Sequence, residues 1–166
     1  MKKEGLKSIE RGYCLADDKT EIAANAGMIC PDGTHIPSAE ARAKDAEPLA
    51  RKYISGNVYS LGKYEELDVA LQTEIKAFIS YLQAQGIEVV LYLTPYHPLV
   101  YSYLRDSEKY KIVLDAEKYF REVAAEYELT IVGSYDPERC GLSNEDFLDG
   151  MHMRREPVER ILRGKM

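Results

Sequence analysis

Between residues 64 and 85 apolar side chains return every three or four positions. Leu67, Leu71, Ile75, Phe78, Ile79 and Leu82 form one stripe, with Glu65, Glu66, Asp68, Glu74 and Lys76 mostly off it. That period predicts an amphipathic helix, ended by Gly86 as a C-terminal cap. Residues 87–94, Ile-Glu-Val-Val-Leu-Tyr-Leu-Thr, are a nearly continuous aliphatic and β-branched run stopped by Pro95. Such a run predicts a strand buried on both faces of a parallel sheet. The pattern then recurs. A helix is predicted from about 114 to 127, with Val113, Ala116, Tyr119, Phe120, Val123 and Ala124 inward, and Leu129-Thr130-Ile131-Val132 follows as a short strand. A last helix over 156–162 accepts Pro157 in its first turn and turns Val158, Ile161 and Leu162 inward.

Two helix–strand units in series predict an α/β fold with a short parallel sheet and right-handed crossovers. The N-terminal part is different. Residues 1–37 mix short apolar pieces with glycines and suit an excursion or lid better than a core. Pro31-Asp32-Gly33 between Met28-Ile29-Cys30 and Thr34-His35-Ile36 reads as a hairpin turn. Ser38 is a plausible N-cap for a helix that is interrupted at Pro48 and ends before Gly56-Asn57. The expected organisation is therefore an N-terminal extension over 1–60 and an α/β portion over 61–166. Ligands of open α/β sheets bind outside the carboxyl ends of the strands. Two segments leave strands there, Pro95-Tyr96-His97-Pro98 and residues 133–152, and they are expected to share one rim.

Composition narrows the function classes. The 166 residues suit one core, and a net charge of −6 without a long Lys/Arg cluster argues against a nucleic-acid partner. No apolar run approaches the length of a membrane span, and no signal peptide opens the chain, so the cytoplasm is the default location; a fragment of a larger protein would allow the cell envelope. Three widely spaced cysteines, Cys14, Cys30 and Cys140, form no metal knuckle. No cofactor is called for. A metal site from His97, Asp149 and His152 is compatible with a shared rim, but nothing in the spacing demands it.

The residues that carry chemistry lie near the C-terminus, in Asp146-Phe147-Leu148-Asp149-Gly150-Met151-His152. If the backbone turns helically there, Asp149 and His152 share a face and the carboxylate holds an imidazole nitrogen. A histidine so oriented makes a general base for a nucleophile.

This Asp-x-x-His, with Asp146-Phe147 and Gly141-Leu142-Ser143 before it, resembles the final catalytic block of the SGNH/GDSL hydrolases. Residues 91–98, Leu-Tyr-Leu-Thr-Pro-Tyr-His-Pro, resemble the penultimate strand of bacterial members associated with cell-surface polysaccharide acylation. The likeness covers roughly residues 60–163. It implies a partial three-layer α/β/α, flavodoxin-like architecture and a serine esterase or acyltransferase acting on an acylated carbohydrate or small ester. Within it His152 is the base and Asp149 its orienting acid, and His97 and Tyr96 on the rim are substrate-binding candidates. The family's serine stands on an early strand–Gly-Asp-Ser turn, and no serine here has that setting. Ser134 alone follows a strand, at a sequence distance from His152 far shorter than the family's, and is the weaker nucleophile candidate.

The expectation is an SGNH-like C-terminal portion, inactive alone because the nucleophile is missing. The alternative is a non-catalytic α/β binding or assembly domain. A sheet short of its first strands exposes an edge and an apolar face, so a homo-oligomer or a partner supplying the upstream segment is expected.

Overall fold

The computed structural model describes residues 27–29 and 35–164. The chain divides into two compact units, 1–44 and 45–166. In the first, β1 (Met28–Ile29) pairs antiparallel with β2 (His35–Ile36), Met28 opposite Ile36. The hairpin expected from the sequence is there; its turn at 31–33, like Cys14, Cys30 and most of the expected lid, lies outside the described residues. Ser38 caps α1 (Ala39–Ala43) by accepting the Ala41 N–H at 3.1 Å.

The second unit begins earlier than residue 61. Helix α2 (Glu47–Ile54), with Pro48 in its first turn, packs on α4 (Pro98–Arg105), and Ala50 and Val58 are fully buried in the core between them. That burial is why residues 45–60 belong with the α/β portion and not with an extension. A short 3-10 segment (Val58–Lys63) follows, in which Tyr59 and Ser60 have positive φ, 47° and 60°.

Helix α3 (Val69–Ala84) starts five residues later than the apolar stripe suggests, because the Asp68 carboxylate accepts the Leu71 N–H and sets the N-terminus there. Gly86, at φ 70°, leads out of it. Its stripe is only partly covered in this chain: Ile79 is buried and Leu67, Ile75 and Leu82 are half-buried, while Leu71 and Phe78 are 58% and 60% exposed.

Strand β3 (Val90–Leu93) is shorter than the run 87–94 and pairs in parallel with β4 (Thr130–Gly133), in register Val90 with Thr130 and Leu93 with Gly133. Among the described residues no strand pairs with the other edge of β3. Val90 and Ile87 are consequently exposed, against the expectation of a strand buried on both faces.

Helix α5 (Lys111–Glu126) contacts both strands and buries Ile112, Val113, Val123 and Ala124, together with one acid, Glu117. Helix α6 (Arg155–Leu162) contacts β4. Its Ile161 joins Cys140, Leu142 and Phe147 in a second core cluster, against which Tyr92 and Val132, register partners in the sheet, also pack. Leu162, expected inward, is 53% exposed, since Pro157 and Ile161 already define the buried face. No helix among the described residues is long and apolar enough to cross a membrane.

Gly133 closes the sheet at φ 78°, and a Cβ there would overlap the Leu93 carbonyl oxygen of the neighbouring strand. Gly141 has a similar φ, 62°, but open space around it. Gly133→Ala is therefore expected to cost clearly more than the roughly 1–2 kcal/mol of left-handed strain alone, and Gly141→Ala no more than that. Thermal unfolding of the two variants checks the difference.

Candidate functional site

Asp149 and His152 meet, though not on a helix. The Asp149 Oδ1 accepts the N–H groups of Met151 and His152, each at 2.9 Å, which bends the chain into a tight side-chain-closed turn. The turn is shut from outside by the Leu148 N–H on the His152 carbonyl at 2.7 Å and by a bridge between Phe147 and Met153. With Oδ1 so engaged, Oδ2 faces the imidazole, and Nδ1 lies 2.8 Å from it. Asp149 is largely buried, its side chain 21% exposed, whereas the His152 side chain is 67% exposed.

Burial pushes the Asp149 carboxyl up, but the Met151 N–H, the His152 ring and the His152 N–H outweigh it and hold the group below the ordinary aspartate value. An ionised carboxylate only accepts hydrogen bonds, so Nδ1 carries the proton. In the neutral ring that tautomer keeps the lone pair on Nε2, as a base requires.

Backbone bonds bring the two post-strand segments to one rim, as their order predicts. The Tyr96 N–H donates to the Tyr135 carbonyl and the His97 N–H to the Gly150 carbonyl, both at 3.1 Å. Tyr96 lines a cavity of about 170 Å³ with Tyr92, Thr94, Pro95, Tyr135 and Met151, the last from the Asp149 turn itself. Burial raises the phenols of Tyr92 and Tyr135 to about 12 and that of Tyr96 above its usual value, so all three remain hydrogen-bond donors. A larger hollow, about 460 Å³, lies along α5 between Tyr101, Leu114, Arg121 and Arg139, and includes neither Asp149 nor His152.

His97 is on the rim by its backbone only. Its side chain is 1% exposed, its Nδ1 accepts the Leu99 N–H at 3.2 Å to cap α4, and its ring meets Phe147 edge-on at 5.4 Å. The ring does not reach a substrate from there. Nε2 has no hydrogen-bond partner, and burial lowers the pKa of the ring against the opposing influence of Asn144, Glu47, Asp45 and Asp149.

Ser134 is likewise inaccessible, 1% exposed. Its hydroxyl donates to Glu117 Oε1 at 2.7 Å and accepts the Asp136 N–H at 3.1 Å, so it is spent on structure and does not meet the requirements of a nucleophile. Cys140 is a free, buried thiol held above its ordinary pKa by burial. Among the described residues no group of three His, Cys, Asp or Glu side chains is arranged to hold a metal ion.

The residues missed by sequence reasoning are Tyr53 and Tyr59. Tyr53 lies against Gly150 so closely that a Cβ there would overlap its ring, and Tyr59 stacks on Tyr53 at 4.9 Å between centroids. The one signal pointing to them is the aromatic pair flanking Ser55-Gly56-Asn57, which carries no periodicity.

Asp149→Asn is expected to release the imidazole from the Nδ1–H form toward the Nε2–H form, read from its ¹⁵N chemical shifts. The lowered carboxyl implies a stabilisation present above the ordinary aspartate range and lost as pH falls through the lowered folded value. The substitution is expected to remove that part of the acid sensitivity and to cost about 1–2 kcal/mol at neutral pH, measured by denaturant unfolding. No protein-family model matches this chain, and no curated protein or solved structure matches it either.

Proposed function

We propose that this chain carries the base half of an SGNH-type site, an ester hydrolase or acyltransferase for an acylated carbohydrate, whose serine comes from a segment outside the described residues. The observation that carries the reading is the 2.8 Å bond from the Nδ1 of a largely exposed His152 to a largely buried carboxylate, in the segment that follows the second strand of a parallel pair. In this role Nε2 takes the serine hydroxyl proton as Oγ attacks the ester carbonyl. The imidazolium, stabilised by Asp149, then protonates the departing sugar oxygen, and water or an acceptor hydroxyl removes the acyl group by the same steps.

Two further features support a missing segment. Among the described residues the outer edge of β3 has no neighbouring strand, and the exposed Leu71 and Phe78 of α3 are apolar surface of the kind that rests on a sheet. In the three-layer architecture that goes with this reading, β3 and β4 are the C-terminal end of a wider sheet.

The chain alone is expected to hydrolyse an activated acetyl ester no faster than its His152→Ala variant does. Expressed together with an adjoining coding segment that supplies a strand and Gly-Asp-Ser, it is expected to turn the ester over, and His152→Ala to lower that rate about a thousandfold or more. Absence of such a segment, or a rate indifferent to His152, sinks the proposal.

The same edge and face favour the second reading, a non-catalytic assembly domain. Light scattering across a dilution series is expected to show self-association that weakens when Phe78 and Leu71 are both changed to Glu. A monomer at every concentration counts against association through this surface.

A further inference from the structure

Tyr59 is the most strained and one of the more exposed aromatic residues of the site. Its φ of 47° and that of Ser60, 60°, put two consecutive side-chain-bearing residues in the left-handed region that favours glycine. Neither is glycine, and the turn holds the Tyr59 ring on the Tyr53 ring, tilted by 33°, while leaving it 39% exposed. Tyr53 in turn lies on Gly150, the residue after Asp149. Such strain is maintained where the side chain's position has a use.

The chemistry of the surface narrows that use. Burial first, and then the neighbouring Tyr53, Asp149 and Tyr96, raise the Tyr59 phenol above its ordinary value, so it stays uncharged and able to donate. One acid, Asp149, acts on Tyr59, whereas Glu47 on α2 is paired with Arg51. A flat aromatic face with a neutral hydroxyl suits a ring bearing axial C–H groups and equatorial hydroxyls, and the Asp149 carboxylate repels an anion.

We propose that the Tyr53–Tyr59 pair is a subsite for one uncharged sugar ring, stacked on the exposed face of Tyr59 beside Asp149 and His152. The inference deepens the esterase reading and rests on it for the choice of a carbohydrate. The subsite selects neutral sugars over uronic or phosphorylated ones and sets the ring's ester group toward Nε2 of His152.

Amide ¹H–¹⁵N spectra of the full chain, titrated with cellotetraose, chitotetraose, maltotetraose and tetragalacturonate, test it. At least one neutral oligosaccharide is expected to shift Tyr53, Tyr59 and Gly150 saturably, with the anionic one at least about tenfold weaker. Tyr59→Ala is expected to weaken the neutral ligand at least about fivefold, and Tyr59→Phe, which keeps the face, by less. Tyr59→Gly separates binding from folding: it relieves the backbone while removing the ring, so binding falls as for Ala with the thermal midpoint no lower than that of Tyr59→Ala. Binding by none of the three neutral sugars, equal binding of tetragalacturonate, or undiminished binding by Tyr59→Gly overturns the subsite. These readouts need no nucleophile. Lack of sugar binding alongside His152-dependent ester turnover therefore removes the subsite alone, and lack of both removes the esterase reading as well.

Discussion

One buried carboxylate governs where the rim lies. Glu117, on the inner face of α5, accepts the Ser134 hydroxyl at 2.7 Å and the Tyr135 N–H at 3.0 Å, and is paired with Arg121 at 2.6 Å. Arg121 also donates to the Gly133 carbonyl at 3.2 Å. Together these groups clamp the three residues at the exit of β4 to the helix behind them. A buried acid is tolerable only with this degree of satisfaction, and loss of Arg121 would leave Glu117 with neutral partners alone. From Tyr135 the fixation passes through its carbonyl to Tyr96, and from the adjacent His97 N–H to Gly150. The Asp149 turn therefore hangs from α5 through two loops.

Periodicity made much of the α/β portion legible. The helices at 69–84, 111–126 and 155–162, the strands at 90–93 and 130–133, and the Ser38 cap all overlap stretches whose apolar spacing or capping residue announces them, with ends that differ by up to five residues. The order of strand, loop, strand and loop was enough to put Tyr96, His97 and Asp149 on one rim. What stayed hidden depends on neighbours that spacing does not encode. Leu71 and Phe78 read as core and are exposed, since a stripe reports what a helix is able to bury and not whether a surface is there to receive it. Glu117 falls on the inner face of α5 against the usual sense of its charge, and only the Ser134, Tyr135 and Arg121 groups explain it.

The site shows the same division. The three-residue separation of Asp149 and His152 predicted their contact correctly while suggesting the wrong backbone; a side-chain-closed turn reaches the same distance as a helical one. His97, placed between two prolines, reads as a rim residue, yet its role as the α4 cap needs the ring folded back under Phe147. Tyr53 falls in the helix expected after Ser38 with nothing in its spacing to set it against Gly150, and Tyr59 reaches the site only through its ring contact with Tyr53; the packing of α2 on α4 that accompanies this is a long-range contact.

The turn that carries His152 is closed by its own hydrogen bonds and hung from α5, and none of these ties passes through the free side of β3. Its geometry is thus independent of how wide the sheet is. The entropic cost of aligning this acid with this imidazole is met within one short turn and its anchoring loops, so nothing beyond them has to organise the pair.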